Sequence, residues 1–268
     1  MADHIDAETG EDLLAELFAD VDGTAILVAP PASLLATLGQ VDTDALPATL
    51  DVLAREDALK TARSDFLVAS NLADHIEADR LELRALTGTN ETTLLASENT
   101  LSTVVDTEGL RPIAVPATDD TVIADVYTAY RERFDEAESF DLRTPGRARA
   151  LDQLASDVGA GVRDDFEAVL GTLDEVSDDT IDAVTLSLLI AARNEALLYD
   201  ISKWGEDTGV ASKATFSRTK TNIEDLGLVT TEKVPIDVGR PRLRLLLADD
   251  DLAAADLDAF ATVAQQKL

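Results

Sequence analysis

The stretch DISKWGEDTGVASKATFSRTKTNIEDLGLV, Asp200 to Val229, decides the reading of the chain. Asp200 to Asp207 has the length of a short helix. Gly209-Val210 then makes a turn, in which glycine supplies backbone freedom and Val210 plugs the angle between helices. Ser212 caps a further helix through Leu226, with Phe216, Ile223 and Leu226 facing inward. Gly227 ends that helix at the position that favours a left-handed residue. Upstream, Ile181 to Tyr199 is an apolar helix capped by Ser177-Asp178-Asp179-Thr180. Downstream, Val229 to Pro235 and Arg242 to Leu247 form a hairpin around Ile236-Asp237-Val238-Gly239-Arg240-Pro241. Three helices followed by a basic hairpin predict a winged helix-turn-helix, with the hairpin as its wing.

Charge supports a nucleic-acid partner for this segment. The chain has 268 residues and a formal net charge of −31. Between Ile201 and Leu247, however, eight basic residues (Lys203, Lys213, Arg218, Lys220, Lys233, Arg240, Arg242 and Arg244) stand against six acidic ones. A protein that avoids positive charge elsewhere has concentrated it here, as a surface meeting an anion requires. A helix entering the major groove needs small polar residues for close approach and basic ones for phosphates or guanine edges. The candidates are Ser212, Lys213, Thr215, Ser217, Arg218, Thr219, Lys220, Thr221 and Asn222 on the helix, with Arg240 and Arg242 on the wing. The wing arginines can lie along a phosphate strand or reach the minor groove. Lys220 reads either as a phosphate contact or as a side chain snorkelling from the core edge. Trp204 reads as a core residue of the second helix.

The remaining charge describes the whole surface. Asp outnumbers Glu 35 to 18, and Arg outnumbers Lys 16 to 6. With 46% hydrophobic residues in regular patterns, the chain folds rather than remaining a disordered acidic polymer. Short carboxylates hold water and cations, and concentrated salt screens their repulsion, so the composition predicts adaptation to high salt and a halophilic archaeal source. There is no cysteine and no long uncharged apolar run. The acidic start MADHIDAETGEDLL lacks the pattern of a signal peptide, so the expectation is a cytoplasmic protein without a membrane segment.

Ahead of the helix-turn-helix, apolar runs alternate with helical patterns. Gly23 to Ala29, Ala48 to Leu53, Leu81 to Leu86, Thr92 to Ala96, Leu101 to Asp106 and Pro112 to Val115 read as strands. Ser33 to Leu38, Asp57 to Ala78, Thr121 to Phe140 and Ala148 to Leu173, the last broken near Gly159-Ala160-Gly161, read as helices. The fold class is therefore an α/β amino-terminal domain with a largely parallel sheet, followed by an α+β winged helix-turn-helix domain. The divisions are 1–140 for a sensor or dimerisation domain, 141–178 for a helical linker and 179–268 for the DNA-binding domain. In the α/β domain, two features are candidate ligand mouths or else packing devices: the turn Ala29-Pro30-Pro31-Ala32-Ser33, and Ser70-Asn71.

Catalytic patterns are missing. The histidines are His4 and His75, and there is no HExxH, no glycine-rich phosphate loop with lysine and no GxSxG elbow. His75 lies beside Asp74 and Glu77, but residues one and two positions apart do not share a helix face. Acid runs such as Asp164-Asp165 and Asp249-Asp250-Asp251 belong to the acidic surface. No enzyme, metal or cofactor is expected.

Asn194 to Leu245 resembles the haloarchaeal TbsP-like transcription regulators. FLVASNLADHI at Phe66 to Ile76, RERFDEAESFDLRTP at Arg131 to Pro145 and VRDDFEAVL at Val162 to Leu170 extend the likeness over most of the chain. The resemblance implies an α/β domain joined to a winged helix, and a sequence-specific regulator of transcription in a halophile. The combined expectation is a homodimer that binds double-stranded DNA, with a small-molecule effector as a candidate partner of the amino-terminal domain. The dimer follows because one winged helix offers few base contacts and two half-sites multiply affinity. The rival is a ligand-binding or degenerate enzyme-like α/β protein whose winged helix mediates protein contacts.

Overall fold

The computed structural model describes residues 4–21, 23–88, 92–105, 111–173, 181–236, 239 and 241–268. They form two compact units, Met1–Gly146 and Arg147–Leu268. The helices read over Ala148 to Leu173 belong to the second unit.

The first unit opens with β1 (Ile5–Asp6), α1 (Gly10–Ala19), β2 (Thr24–Val28) and α2 (Ala32–Gln40). Next come β3 (Thr49–Arg55), α3 (Glu56–Ser64), α4 (Phe66–Glu77) and β4 (Leu81–Leu86). It closes with β5 (Leu94–Ala96), β6 (Leu101–Val105), β7 (Ile113–Pro116), α5 (Asp120–Glu136) and β8 (Glu138–Ser139). The eight strands make one sheet in the order β1-β7-β6-β5-β2-β3-β4-β8. Among the described residues only β2, β3 and β4 run parallel, and the other pairings are antiparallel. The expected largely parallel sheet is thus a mixed one. Connection length explains the difference: α2 and the pair α3–α4 give the crossovers that parallel neighbours require, whereas the links from β5 to β6 and from β6 to β7 are too short for a crossover, and the three strands meander.

Alternation along the strands builds two cores. Ala25 and Leu27 of β2, with Leu50, Val52 and Ala54 of β3, point to the face covered by α1 to α4. Ile26, Val28 and Leu53 point to the other face, under Phe134 of α5. On that second face Asp51 is buried and paired with Arg131 of α5. The Arg84 guanidinium stacks on the Phe134 ring at 4.5 Å and donates to the Phe134 and Asp135 carbonyls, capping the end of α5. The helix read over Asp57 to Ala78 is two helices. Asp65 breaks it by accepting from the amides of Leu67 and Val68. The helix read through Phe140 ends at Glu136, and the chain turns into β8.

His75 is buried in this unit. Its Nε2 lies 3.2 Å from the Leu38 carbonyl, which can only accept, so Nε2 carries the proton and Nδ1 accepts from the Thr43 hydroxyl at 2.9 Å. Burial lowers its pKa below the ordinary 6.5. Between the folded value and 6.5 the unfolded chain therefore binds more protons. The stability contributed by neutral His75 is complete above 6.5 and is lost as pH falls below it. Replacing His75 with Gln should remove up to about 1.4 kcal/mol per pH unit of that dependence. Urea titrations of both proteins at several pH values between 4 and 8 measure this, and parallel pH profiles would refute it.

The second unit contains α6 (Arg147–Asp157), α7 (Ala160–Leu173), α8 (Ala183–Arg193), α9 (Leu198–Asp207) and α10 (Lys213–Asp225). A hairpin of β9 (Val229–Val234) and β10 (Arg242–Leu247) follows, then α11 (Asp250–Ala254) and α12 (Leu257–Gln265). The expected cap Ser177 to Thr180 lies outside the described residues. Asp182 caps α8 by accepting from the amides of Val184 and Thr185. The apolar helix read as continuous to Tyr199 stops at Arg193. Leu197 then bridges to Arg244 of β10, and the Leu245 amide donates to the Ala196 carbonyl. This short extended piece ties the hairpin to the helices. Trp204 is buried on α9. Its indole N–H donates to the Ala150 carbonyl of α6 at 2.9 Å, and its ring meets Phe166 of α7 edge-on at 5.8 Å.

Candidate nucleic-acid interface

Two helices and a tight turn position α10. The turn needs a left-handed residue and finds it in Gly209, at φ 81°. Thr208 is fully buried beside it and donates to the Trp204 carbonyl, while Val210 is only half-buried. Gly205 of α9 allows the closest approach of the two helices, since a Cβ there would collide with Cε2 and Cζ of the buried Phe216 ring. Ser212 caps α10 by accepting from the Thr215 amide at 3.2 Å. Gly227 ends it at φ 77°. Phe216 and Ile223 anchor the inner face. Leu226, expected inside, is 52% exposed, because it is the C-cap residue where the chain turns toward β9 and Leu228 takes the buried place.

Helical spacing from that anchor defines the outer face. Ala214, Arg218, Thr221 and Asp225 lie opposite Phe216 and Ile223, flanked by Ser217 and Asn222, and all six are exposed. Thr221 donates to the Ser217 carbonyl. Thr215 and Thr219 are half-buried toward the helix flank. Ala214 was not among the residues singled out from sequence, although it stands four positions before Arg218. Its small side chain permits close approach to a groove floor.

The cations divide into two groups. Lys213 is bound to Glu206 across the turn, and the pairing raises the lysine pKa and lowers that of the glutamate. Lys203 is held by Asp207 at 2.7 Å. Lys220 contacts Glu224 at 2.7 Å with only 12% of its side chain exposed, and Glu224 also accepts from Thr231 of β9. Lys220 therefore ties α10 to the hairpin. Arg242 stacks on the Tyr199 ring at 4.2 Å and donates to Asp200 at 3.0 Å, joining the turn end of the hairpin to the start of α9. Arg244 lies 3.8 Å from Glu232. Arg218 and Lys233 are exposed, and neither has a carboxylate partner among the described residues. Arg240 lies outside the described residues. Two of the pairs, Lys203–Asp207 and Lys220–Glu224, have the four-residue spacing that sequence shows; those of Lys213 and Arg242 cross a turn and a hairpin, which it does not.

Comparison with known proteins settles the family. The chain matches "Transcriptional regulator TbsP-like, N-terminal" over residues 2–145 and "Transcriptional regulator TbsP-like, C-terminal HTH domain" over residues 146–265. The chain belongs to the TbsP-like transcriptional regulators. The TbsP-like family joins an amino-terminal region, here the mixed α/β sheet, to a DNA-binding helix-turn-helix, and its role is regulatory rather than enzymatic. No curated protein matches the chain. Among solved structures, Nuc, a phospholipase D family member from Salmonella typhimurium, matches with a TM-score of 0.38 and 8% identity, covering 52% of this chain and 97% of that one. A likeness at that level carries no argument. No described helix is long and apolar enough to cross a membrane.

Proposed function

We propose that the second unit is a winged helix-turn-helix that reads double-stranded DNA with α10 in the major groove and the β9–β10 hairpin as its wing. The observation that carries this reading is the outer face of α10. Arg218, free of carboxylate partners among the described residues, stands at its centre between small polar or apolar neighbours. Ser217, Arg218, Thr221 and Asn222, with Ala214, face the bases. Ser212 and Lys213 lie at the helix start, where a backbone phosphate is met. Thr215, Thr219 and Lys220 support the helix from its flank. Arg242 sets the hairpin angle through Tyr199 and Asp200, leaving Lys233 and Arg240 as the wing's phosphate contacts.

The same reading makes the protein a cytoplasmic homodimer of a halophile, because paired half-sites supply the affinity that one recognition helix lacks. The first unit acts as a sensor or assembly platform. Its two expected mouths are held by packing. Ala29 takes φ 49° and is fixed by hydrogen bonds from its amide to Leu53 and from Thr93 to its carbonyl, while Ser70 is buried and bonded to Leu67. A cavity of about 480 Å³ opens instead near the carboxyl ends of β3 and β4, lined by Leu53, Leu86, Thr87, Arg133, Glu136 and Glu138. That is the proposed effector site, since ligands bind beyond the carboxyl ends of parallel strands.

The test is selection of bound genomic fragments by the full chain in molar potassium chloride, followed by anisotropy with the selected site. Replacing Arg218 with Ala should weaken that site by about 1–3 kcal/mol, roughly 5- to 150-fold, with folding stability unchanged. Equal affinity of the two proteins would remove Arg218 from the interface, and failure to select any fragment would refute DNA reading.

A further inference from the structure

The second unit holds a cavity of about 420 Å³ between the starts of α9 and α10 and the turn end of the hairpin. Its walls are apolar: Leu198, Tyr199, Ile236, Pro241 and Leu243. Tyr199 and Ile236 are 46% and 40% exposed, a cost that an acidic, soluble surface has no reason to bear at both sides of one hollow. A phosphate strand crossing here would leave these walls without partners. Polar groups border the same hollow. Arg242 uses one guanidinium nitrogen on Asp200, Lys213 one of its ammonium protons on Glu206, and the hydroxyls of Ser202 and Ser217 border the same space. Unused donors beside an aromatic ring and aliphatic walls match a flat ring bearing a single carboxylate.

We propose that this cavity binds a small aromatic carboxylate, and that the bound molecule competes with DNA. Competition rests on the DNA-binding reading above, because the cavity lies between Lys213 and Ser217 of α10 and the hairpin. A ring lodged there stands between the two elements that must close on one duplex. The ring packs against the exposed part of Tyr199 and the aliphatic walls, beside the Arg242 guanidinium, and its carboxylate accepts from Lys213, Arg242 and the serine hydroxyls.

Naphthalene-2-carboxylate is the probe, used with the full chain in molar potassium chloride. Saturation-transfer NMR should show its ring protons in contact with the protein, and the signal should vanish in both Tyr199→Ala and Ile236→Ser. Circular dichroism checks that each variant is folded; Ile236 is exposed enough that its replacement leaves the core intact. The neutral naphthalene-2-carboxamide should bind at least about tenfold more weakly, the loss expected when charge-assisted hydrogen bonds are removed. The carboxylate should also lower the apparent affinity for labelled DNA about tenfold when its concentration is about ten times its own Kd. No transfer to the wild-type chain, or transfer retained in both folded variants, overturns the site. Transfer without release of DNA overturns the competition. Ligand binding by a chain that binds no DNA upholds the site and overturns the DNA reading instead.

Discussion

Gly205→Ala is expected to destabilise the second unit and to abolish tight DNA binding. Two effects oppose each other. Alanine in a helix interior is favoured over glycine by about 1 kcal/mol. The new methyl, however, would occupy the space of the Phe216 ring, which is fully buried and has no room to swing away. Overpacking of this kind costs about 1–3 kcal/mol, and α9 and α10 must separate to relieve it. The clash outweighs the propensity gain, because the colliding atoms belong to a rigid ring. DNA affinity should fall further than stability, since the separation re-aims the outer face of α10. Denaturant titration and anisotropy at one fixed salt concentration measure both. Gly205→Ala/Phe216→Leu should recover part of the stability, as the smaller side chain vacates the contested space. A single variant as stable as the wild type would show that the helices do not meet through this pair.

The second large effect concerns salt. An ordinary regulator loses affinity steeply as salt rises, with a logarithmic slope of about −0.9 per neutralised phosphate. In this chain Lys203, Lys213, Lys220, Arg242 and Arg244 already face carboxylates of their own domain. Few cations remain to displace counterions, and the net charge of −31 repels DNA at long range. That repulsion disappears when the Debye length falls from ~10 Å at 0.1 M to ~3 Å at 1 M. Affinity for a selected site should therefore stay flat or rise from 0.1 M to molar potassium chloride. Below that range unscreened carboxylate repulsion should unfold the chain, so circular dichroism must accompany each anisotropy point. A steep, monotonic loss of affinity by folded protein would mean that a few basic contacts dominate and that the net negative charge plays no part.

Much of the second unit was legible because its signals are local. Ser212 and Gly227 bracket α10, Gly209 marks the turn, and Phe216 and Ile223 repeat at seven residues. Leu226 was misread because helical spacing continues to predict an inward side chain after the helix has ended. Strand direction in the first unit was not legible. Alternation gives the two faces of a strand, but orientation follows from what connects it to the next, and β5 to β7 are joined by links too short for a crossover. At the interface the residue types were readable and their engagement was not. Whether a lysine awaits a phosphate depends on which carboxylate the fold brings beside it, and Glu206 reaches Lys213 only once the turn has formed.

The chain has a single tryptophan, and it is Trp204. Its indole is sealed between α6 and α7, with an aromatic edge and a carbonyl fixing both ring and N–H. Its emission therefore reports on one half of the molecule only. The mixed sheet carries no tryptophan and is spectroscopically silent in that channel, whereas far-ultraviolet dichroism averages over both halves. The wild-type sequence thus comes with a built-in optical label for its helix-turn-helix unit. Following the two signals together resolves whether that unit melts with the sheet or apart from it, with no engineered probe.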